Sequence, residues 1–362
     1  MPDVVVAGYL GVDIAPGFAA RGAVPFSELF RPGKLIETRG LDFSLGGVVA
    51  NTGLAMKRFG CDVALMGCVG EDALGDLAIA RLGAAGVHDG IRRVATGGTA
   101  YGIVLAPPGV DRMFLEDPGC NRSFTVEHLD LGVVRGCRLF HFGYPPLMEA
   151  LWRGGGSGLR ELLAAVRACG PAISLDMALP DPDAPAGRTD WAAILADALP
   201  FVDIFTPSIE ELLFMLDPIG YARFAAQAPG GDLIDAIPAS VYDELADRVL
   251  AFGVKVLLIK AGPKGAYLRT AAPVKSAGAT RWPLDAAGCP AGRWLQPMPV
   301  DAARVCNASG AGDCAIAGFL SALLKGESVI AAGRCAMTAG RDNLYGPDAL
   351  SGLRPWEAMV LD

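Results

Sequence analysis

Residues 307–320 read NASGAGDCAIAGFL. The Ala-rich segment predicts a helix, and Ser309 is a candidate cap for its first turn. A plain helix start does not need the glycines at 310 and 312, because glycine destabilises a helical turn by roughly 0.5–1 kcal/mol relative to alanine. We therefore infer that a ligand approaches the backbone of this turn closely. The rest of the sequence must identify that ligand.

The composition indicates a large folded chain with an acidic balance of charge. The chain has 362 residues, of which 52% are hydrophobic and 19% charged, and its formal net charge is −8. This excess of acid argues against nucleic-acid binding, which needs a basic surface. It is compatible with a small anionic ligand, because a local site can oppose the overall sign of charge.

The cysteines and the N-terminus indicate the cellular compartment. The nine cysteines include no CxxC pair and are odd in number, which argues against a disulfide framework or a zinc ribbon. The opening MPDVVVAGYLGVD lacks the basic segment of a signal peptide. No apolar run reaches the roughly 18 residues of a membrane span. We expect a cytoplasmic protein with reduced thiols and no membrane partner.

Short β-branched runs alternate with Ala- and Leu-rich periodic segments along most of the chain. This alternation predicts an α/β fold, with a mostly parallel central sheet and helices on both of its faces. The predicted strands are 4–8, 62–70, 138–143, 172–177, 202–207 and 254–262, and the predicted helices are 48–60, 74–86, 158–169, 189–198, 208–216 and 239–252.

Two segments, approximately 14–45 and 97–118, interrupt the alternation. Residues 97–117 predict two antiparallel strands around the turn PPGVD. We expect both segments to form a small β-sheet lid, inserted into a single domain that spans residues 1–362. Segments 218–238 and 271–303 are rich in Pro and Gly without periodicity, and they are predicted to be surface loops.

Spaced glycine turns carry the clearest functional signal. No GxxxxGK[ST] occurs and no GxGxxG follows the first strand, which argues against a P-loop and against a dinucleotide site. The turns that do occur are GGVVAN (46–51), GCVGEDALG (67–75), DPGCN (117–121), KAGPKG (260–265) and NASGAGD (307–313).

In order and spacing, these turns resemble those of the PfkB/ribokinase family of small-molecule kinases. NASGAGDCAIAGFL resembles the family's C-terminal signature, DTTGAGDxFxAGF, and GGVVANTGLAMKRFG with GCVGEDALGD resembles its N-terminal signature. The resemblance runs from about residue 4 to about residue 345. It implies a ribokinase-like fold and ATP-dependent phosphorylation of a hydroxyl group on a sugar or sugar-like substrate. It also implies Mg²⁺ and a homodimer that forms through the lid.

The resemblance implies catalytic roles for the glycine turn at residues 307–313. A helix N-terminus offers unpaired N–H groups and the positive end of a dipole, so Gly310, Ala311 and Gly312 suit an anion. In the family this turn holds the transferring γ-phosphate, and the position of Asp313 is the base that deprotonates the acceptor hydroxyl. The alternative for Asp313 is a first-turn acid that the helix dipole alone favours.

Five residues match the acceptor-binding positions of the family. They are Asp13, Gly46, Gly47, Asn51 and Asn121. The glycines let a sugar approach the backbone, and an asparagine side chain both donates and accepts hydrogen bonds. Asn121 has a structural alternative, because asparagine tolerates left-handed turns. A turn or cap aspartate is the alternative for Asp13.

KAGPKG resembles the family's TxGxxG turn, which lies near the ATP phosphates and ribose. Gly262 and Gly265 match its glycines, and Lys260 occupies the position of its threonine. Lys264 is predicted either to contact phosphate or to be an exposed turn residue. Only Asp176, in LDMAL, matches the D-x-N that the family often has at another strand end.

Two residues depart from the family's ion-binding positions. Glu211 matches the glutamate of the NxxE motif and is predicted to bind Mg²⁺ through water, but Ser208 replaces the asparagine. Asn307 replaces the leading aspartate of the C-terminal signature, which helps bind a monovalent cation in relatives. The resemblance therefore does not by itself imply a potassium requirement.

Three alternative functions are compatible with parts of the sequence. A nucleoside kinase of the same fold would need an aromatic side chain against the base, and Tyr101 on the lid is the candidate. A non-catalytic sugar or nucleotide sensor would explain Ser208 and Asn307, but it has no use for the base. A nicotinamide-dependent oxidoreductase is disfavoured because GxGxxG is absent.

Overall fold

The computed structural model describes residues 1–18, 26–107, 113–228, 231–271 and 289–359. The strands of these residues form two sheets, which confirms the predicted α/β class with a separate small sheet. The strands are β1 (Val4–Gly8), β2 (Gly11–Phe18), β3 (Thr38–Gly46), β4 (Val63–Gly70), β5 (Ile91–Val94), β6 (Ala100–Leu105), β7 (Met113–Asp117), β8 (Leu139–Gly143), β9 (Ala172–Leu175), β10 (Ile204–Phe205), β11 (Val256–Lys260), β12 (Ala266–Thr270) and β13 (Arg293–Leu295).

Most of the helices lie between strands along the chain, and the last three follow the final strand. The helices are α1 (Phe26–Leu29), α2 (Val48–Arg58), α3 (Ala73–Ala84), α4 (Leu131–Gly136), α5 (Glu149–Cys169), α6 (Trp191–Ala198), α7 (Ile209–Leu216), α8 (Pro218–Gln227), α9 (Leu233–Ala236), α10 (Ala239–Ala251), α11 (Ala311–Leu324), α12 (Val329–Asn343) and α13 (Trp356–Met359). Helical backbone geometry is interrupted inside α5 at residues 153–156.

The large sheet has nine strands in the order β13-β12-β11-β10-β9-β8-β1-β4-β5. Its strand pairs are parallel from β5 to β11, and the pairs β11–β12 and β12–β13 are antiparallel. Strands β1, β8 and β9 are buried at every position. Parallel strands covered on both faces need such continuous apolar runs, which is why VVVAG is a reliable strand signal.

The small sheet has the order β3-β2-β6-β7. Strands β6 and β7 pair antiparallel, as the hairpin prediction requires, whereas most of the PPGVD turn lies outside the described residues. The sheet begins three residues earlier than predicted, because Gly11 already pairs with Gly46 and Ala100. Asp13 therefore lies within a strand of the small sheet and not in a turn.

The prediction of loops is wrong over most of 218–238, which forms α8 and α9, whereas the described part of 271–303 is largely irregular apart from β13 and a short 3₁₀ turn. Helix α8 begins at Pro218 because proline suits the first helical position and the Asp217 side chain accepts a hydrogen bond from the Gly220 N–H. Helix α9 follows it, and β13 forms an edge strand on which Trp294 packs against Tyr242 with ring centroids 4.7 Å apart.

Two further expectations concern the cysteines and the membrane. All nine cysteines are free thiols, and each except Cys306 is buried. Within the described parts of the chain, we find no helix with both the length and the apolar character that a bilayer crossing requires.

Candidate active site

A cleft of about 810 Å³ lies between the small sheet and the carboxyl ends of the parallel strands. Tyr144, Asp176 and Ser208 follow β8, β9 and β10, and Lys260 ends β11, so the topology brings them to one edge of the sheet. The predicted site residues that line the cleft are Asp13, Gly46, Gly47, Asn51, Glu211, Lys260, Gly262, Gly310, Ala311, Gly312 and Asp313.

Helix α11 begins at the edge of this cleft without a side-chain cap. Gly310 precedes it with φ 76°, a left-handed conformation, and an added Cβ there would lie 2.7 Å from the Cβ of Ala349. The prediction that Ser309 caps the helix is wrong, because no side-chain cap forms on α11. No side chain competes for the N–H groups at this end of the helix, although the Ala311 N–H donates to the carbonyl of Ala308 at 3.3 Å.

The Asp313 side chain lies in the first turn of α11 and is 5% exposed. Asn51 Nδ2 donates to its Oδ2 atom at 2.9 Å, and Thr52 Oγ1 donates to Oδ1 at 3.2 Å. Both donors belong to α2, which packs against α11. The Asp313 carboxylate is thus held in position by side chains of α2, although Asp313 itself belongs to α11.

Tyr144 is a residue that the sequence analysis did not assign to the site. Its hydroxyl lies 2.6 Å from both carboxylate oxygens of Asp313. Burial, followed by the charge of Asp313, raises the pKa of Tyr144 well above its usual value, so this hydroxyl is the donor. Among the described residues, Tyr144 is the one non-glycine residue with a positive φ, at 32°.

Lys260 and Asp176 form an ion pair inside the cleft, with Nζ 2.6 Å from Oδ1. The Lys260 side chain is 15% exposed and that of Asp176 is 2% exposed. Burial by itself lowers the pKa of Lys260, but the carboxylates of Asp176 and Glu211 outweigh it and raise the pKa above its usual value. The Lys260 ammonium group therefore lies next to Gly312, whose added Cβ would be 3.8 Å from Nζ.

Two carboxylates of the small sheet face the cleft from the opposite side. Asp13, Gly102 and Glu116 are aligned across β2, β6 and β7, and a Cβ on Gly102 would lie 3.2 Å from Asp13 Oδ1 and 2.7 Å from Glu116 Oε2. The hydroxyl of Tyr9 donates to Glu116. Burial, followed by the charges of Glu116 and Asp313, raises the pKa of Asp13 to about 7.

The two departures from the family's ion-binding positions both form local hydrogen bonds. Ser208 Oγ accepts from the Glu211 N–H at 3.1 Å, and Glu211 Oε2 accepts from the Ser208 N–H at 2.6 Å, which is a capping box at the start of α7. The Asn307 amide accepts from the Ser309 N–H and donates to the carbonyl of Pro347. One oxygen of Glu211 is therefore already engaged.

Four predicted residues lie outside the cleft lining. Asn121 is fully buried and donates to the carbonyls of Leu10 and Pro118, contacts that its structural alternative accounts for. Lys264 donates to the carbonyl of Ile234, and Gly265 lies beside it, away from the cleft. Tyr101 alternates with Gly102 along β6, so its ring faces away from the cleft and cannot stack on a ligand there.

Sequence analysis missed Tyr9, Thr52, Glu116 and Tyr144 as site residues. Glu116 could have been found from the alternation of β7, because it shares a face with Gly102 across the hairpin. Thr52 could have been predicted as a site residue because it directly follows Asn51, which was predicted. Tyr144 carries no local signal, because its partner Asp313 is 169 residues away in the chain.

Comparison with known proteins gives a match over most of the chain. Residues 17–342 match the family described as pfkB family carbohydrate kinase. A sugar kinase of uncharacterised function from Archaeoglobus fulgidus is 23% identical over 281 residues, which cover 78% of this chain and 90% of that protein.

Solved structures share the fold over nearly the whole length. Arabidopsis thaliana ribokinase complexed with ribose and ATP has a TM-score of 0.72 and 21% identity, covering 99% of this chain and 98% of that one. Burkholderia thailandensis nucleoside kinase in complex with inosine has a TM-score of 0.66 and 17% identity, covering 98% and 96%. With a ribokinase-like fold and a family match over residues 17–342, the chain belongs to the pfkB family of carbohydrate kinases, phosphotransferases with an alcohol group as acceptor.

Proposed function

We propose that this chain transfers the γ-phosphoryl group of ATP to a hydroxyl group of a neutral sugar or sugar-like polyol, with Asp313 as the general base. The observation that carries the proposal is the position of Asp313. It lies at the uncapped N-terminus of α11 and faces a cleft whose far wall holds Asp13 and Glu116. The Asp313 carboxylate thus lies between a candidate anion site at the helix N-terminus and a candidate polyol site at Asp13 and Glu116.

In this proposal Asp313 takes the proton of the acceptor hydroxyl. As the proton leaves, the acceptor oxygen bonds to the γ-phosphorus and the bond to the β-phosphate oxygen breaks, so that ADP leaves with the electron pair. Asn51 and Thr52 keep the carboxylate directed into the cleft through the two hydrogen bonds described above. Positioned proton transfer of this kind contributes about 10²–10⁴-fold to the rate.

The phosphoryl group would be held between two sources of positive potential. On one side are the backbone N–H groups of Gly310, Ala311 and Gly312 with the positive end of the helix dipole. On the other side is the Lys260 ammonium, which the Asp176 carboxylate keeps within the cleft. Such preorganised groups stabilise charge that develops in the transition state.

The residues present fit a magnesium ion that is bound mainly by nucleotide phosphates and water. Among the described residues, no group of three or more His, Cys, Asp or Glu side chains is arranged to hold a metal ion directly. Glu211 faces the cleft and has one oxygen outside the capping box, so it would contact the ion through water, as Mg²⁺ often requires. The ion would neutralise charge on the phosphates.

Asp13 and Glu116 define the acceptor class. Carboxylate oxygens accept hydrogen bonds from vicinal hydroxyls, and they repel an anionic substrate in a cleft that already holds Asp176, Glu211 and Asp313. We therefore expect neutral polyols to be better acceptors than sugar acids or sugar phosphates.

A nucleoside or another glycoside is the second candidate acceptor, and one observation favours it. A cavity of about 390 Å³ shares Phe114, Glu116 and Leu147 with the cleft and extends beyond them to Trp152. The indole N–H of Trp152 is buried without a hydrogen-bond partner among the described residues. A planar group attached to the sugar, with an acceptor atom for that N–H, would fit this extension.

We also propose that two copies of the chain pair through the small sheet. The face opposite the cleft carries a row of apolar residues across β3, β2, β6 and β7, namely Phe43, Ile14, Ile103 and Leu115. Leu115 is 51% exposed, and Leu41 and Met113 extend the exposed patch. A second copy would cover this face and the edge of β7.

The test is ADP release from MgATP with a panel of pentoses, hexoses, ketoses, sugar acids and nucleosides. Asp313→Asn is expected to lower kcat by about 10²–10⁴-fold with ATP binding retained in a thermal-shift assay. Asp76→Asn is the matched control, because Asp76 is also a first-turn aspartate but is exposed on α3. ATP binding without turnover on any acceptor would instead favour a non-catalytic sensor. Full activity of the Asp313→Asn variant would mean that Asp313 is not the general base.

A further inference from the structure

Three side chains donate to the Asp313 carboxylate in the structure, and the hydroxyl of Tyr144 lies between its two oxygens. An ionised carboxylate offers about four lone-pair sites on its two oxygens. The Tyr144 hydroxyl is shared between Oδ1 and Oδ2, Asn51 occupies a second site on Oδ2, and Thr52 occupies a second site on Oδ1. Three donors leave about one site, but the Tyr144 hydroxyl lines the cleft and lies across both oxygens, so an acceptor hydroxyl that approaches from the cleft needs a donor to move aside.

Tyr144 is the donor that is best able to leave. Asn51 and Thr52 lie inside α2, where helical hydrogen bonds fix their backbone. Tyr144 lies after the end of β8 and before a short 3₁₀ turn, with φ 32° and ψ 68°. This left-handed conformation is unfavourable for a bulky side chain and is the kind of strain that marks movable parts of functional sites. Its side chain also lines the cleft.

We propose that the Tyr144 hydroxyl occupies the place of the acceptor hydroxyl on Asp313 until an acceptor binds. The proposal rests on the proposed function, in which Asp313 is the base. A bound acceptor displaces Tyr144, donates its own hydroxyl hydrogen to Asp313 and delivers that proton as its oxygen bonds to the γ-phosphorus. Without an acceptor, Tyr144 denies Asp313 to water, so ATP in the cleft is not hydrolysed.

The neighbours of Tyr144 connect this exchange with the acceptor side of the cleft. The rings of Tyr144 and Tyr9 are in contact, with centroids 6.1 Å apart, and the Tyr9 hydroxyl donates to Glu116 on the small sheet. An acceptor that binds Glu116 competes with Tyr9 and thereby perturbs the ring against which Tyr144 packs. Occupation of the polyol site and exposure of the base are thus coupled through two tyrosines.

Tyr144→Phe tests the proposal, because it removes only the hydroxyl. Acceptor-independent ATP hydrolysis is expected to rise roughly tenfold or more, since a hydrogen bond to a charged group corresponds to at least that factor in an equilibrium. The KM for the acceptor is expected to fall by a comparable factor, because the competing hydroxyl is gone. Tyr101→Phe is the matched control, since Tyr101 lies on the small sheet but faces away from the cleft, and it should change neither quantity.

The outcomes separate this proposal from the function on which it rests. A Tyr144→Phe variant with lower kcat and with unchanged hydrolysis and KM would mean that Tyr144 only orients the base, which overturns the proposal and leaves the kinase function intact. A wild-type protein that transfers phosphate to no acceptor would overturn the proposed function. In that case, increased ATP hydrolysis by Tyr144→Phe would still support the proposal that Tyr144 blocks Asp313. Unchanged hydrolysis would overturn this proposal as well.

Discussion

The ammonium group of Lys260 lies 2.6 Å from the carboxylate of Asp176, and the pair is buried in the wall of the cleft beside Gly312. Removal of either residue leaves the other buried without the counter-charge that lies nearest to it. A buried ion pair is more costly to break than to replace as a whole. This property allows structural and catalytic contributions of Lys260 to be separated.

We expect Lys260→Met to lower the free energy of unfolding by about 3–5 kcal/mol, because it leaves Asp176 buried without its cation. The double variant Lys260→Met/Asp176→Asn is expected to recover most of that loss. It should still turn over about 10²-fold more slowly than wild type, because the charge opposite the helix N-terminus is missing. Denaturant unfolding and kcat measured on the same preparations test this. Recovery of activity together with stability would mean that Lys260 is only structural.

Two glycine variants in the turn before α11 also allow effects on stability to be distinguished from effects on catalysis. Gly310→Ala is expected to destabilise the fold, because φ is 76° and the new methyl group would meet Ala349 at 2.7 Å. Gly312→Ala has no such clash, since its nearest neighbour is Lys260 Cδ at 3.5 Å. That methyl group would lie beside Lys260, at the proposed phosphate site.

Gly312→Ala is therefore expected to keep a wild-type melting temperature while kcat falls about tenfold or more, which thermal unfolding and steady-state kinetics measure together. Gly310→Ala is its internal comparison and should lose both stability and activity. If Gly312→Ala keeps full activity, the N–H groups of this turn do not contact the transferring phosphoryl group.

The raised pKa of Asp13 makes stability depend on pH. Its pKa is about 7 in the folded protein against 3.8 ordinarily, so the folded state binds a proton more tightly than the unfolded chain does. The resulting stabilisation is complete below about pH 4 and is lost as the pH rises through 7. The Asp13→Asn variant cannot lose a proton at this position, so its stability does not fall with pH for this reason.

We expect the melting temperature of Asp13→Asn, relative to wild type, to increase by about 2 °C or more between pH 5 and pH 9. Calorimetry across that range measures the difference, with Asp76→Asn, whose side chain is 72% exposed, as the surface control. A difference that stays constant from pH 5 to pH 9 would mean that Asp13 is ionised in the folded protein throughout this range.

Pairing of two small sheets is tested by Leu115→Asp. A charge on the exposed apolar face is expected to convert a dimer into a monomer, as measured by light scattering at micromolar concentration. Ile219→Asp is the matched control, because Ile219 is 83% exposed on α8, away from the small sheet, and should not alter the mass. A wild-type monomer at these concentrations contradicts pairing through this face.

The sequence by itself determined the α/β class, most strands of the parallel sheet and the position of the glycine turn before α11. Runs such as VVVAG and glycines such as Gly310 report on neighbours within a few residues, and local sterics and hydrogen bonding determine what they can form. The same local logic failed at Pro218, because a proline that ends one helix can also begin the next.

Only the tertiary structure decided which side chains meet. Asp313 acquires its partners from α2 and from the turn after β8, and Lys260 acquires Asp176 from the neighbouring strand end. The same packing removed Asn121 and Tyr101 from the cleft, since a buried amide satisfies nearby carbonyls and a strand alternates its faces. Such contacts join residues far apart in the chain, and no periodicity or local motif encodes them.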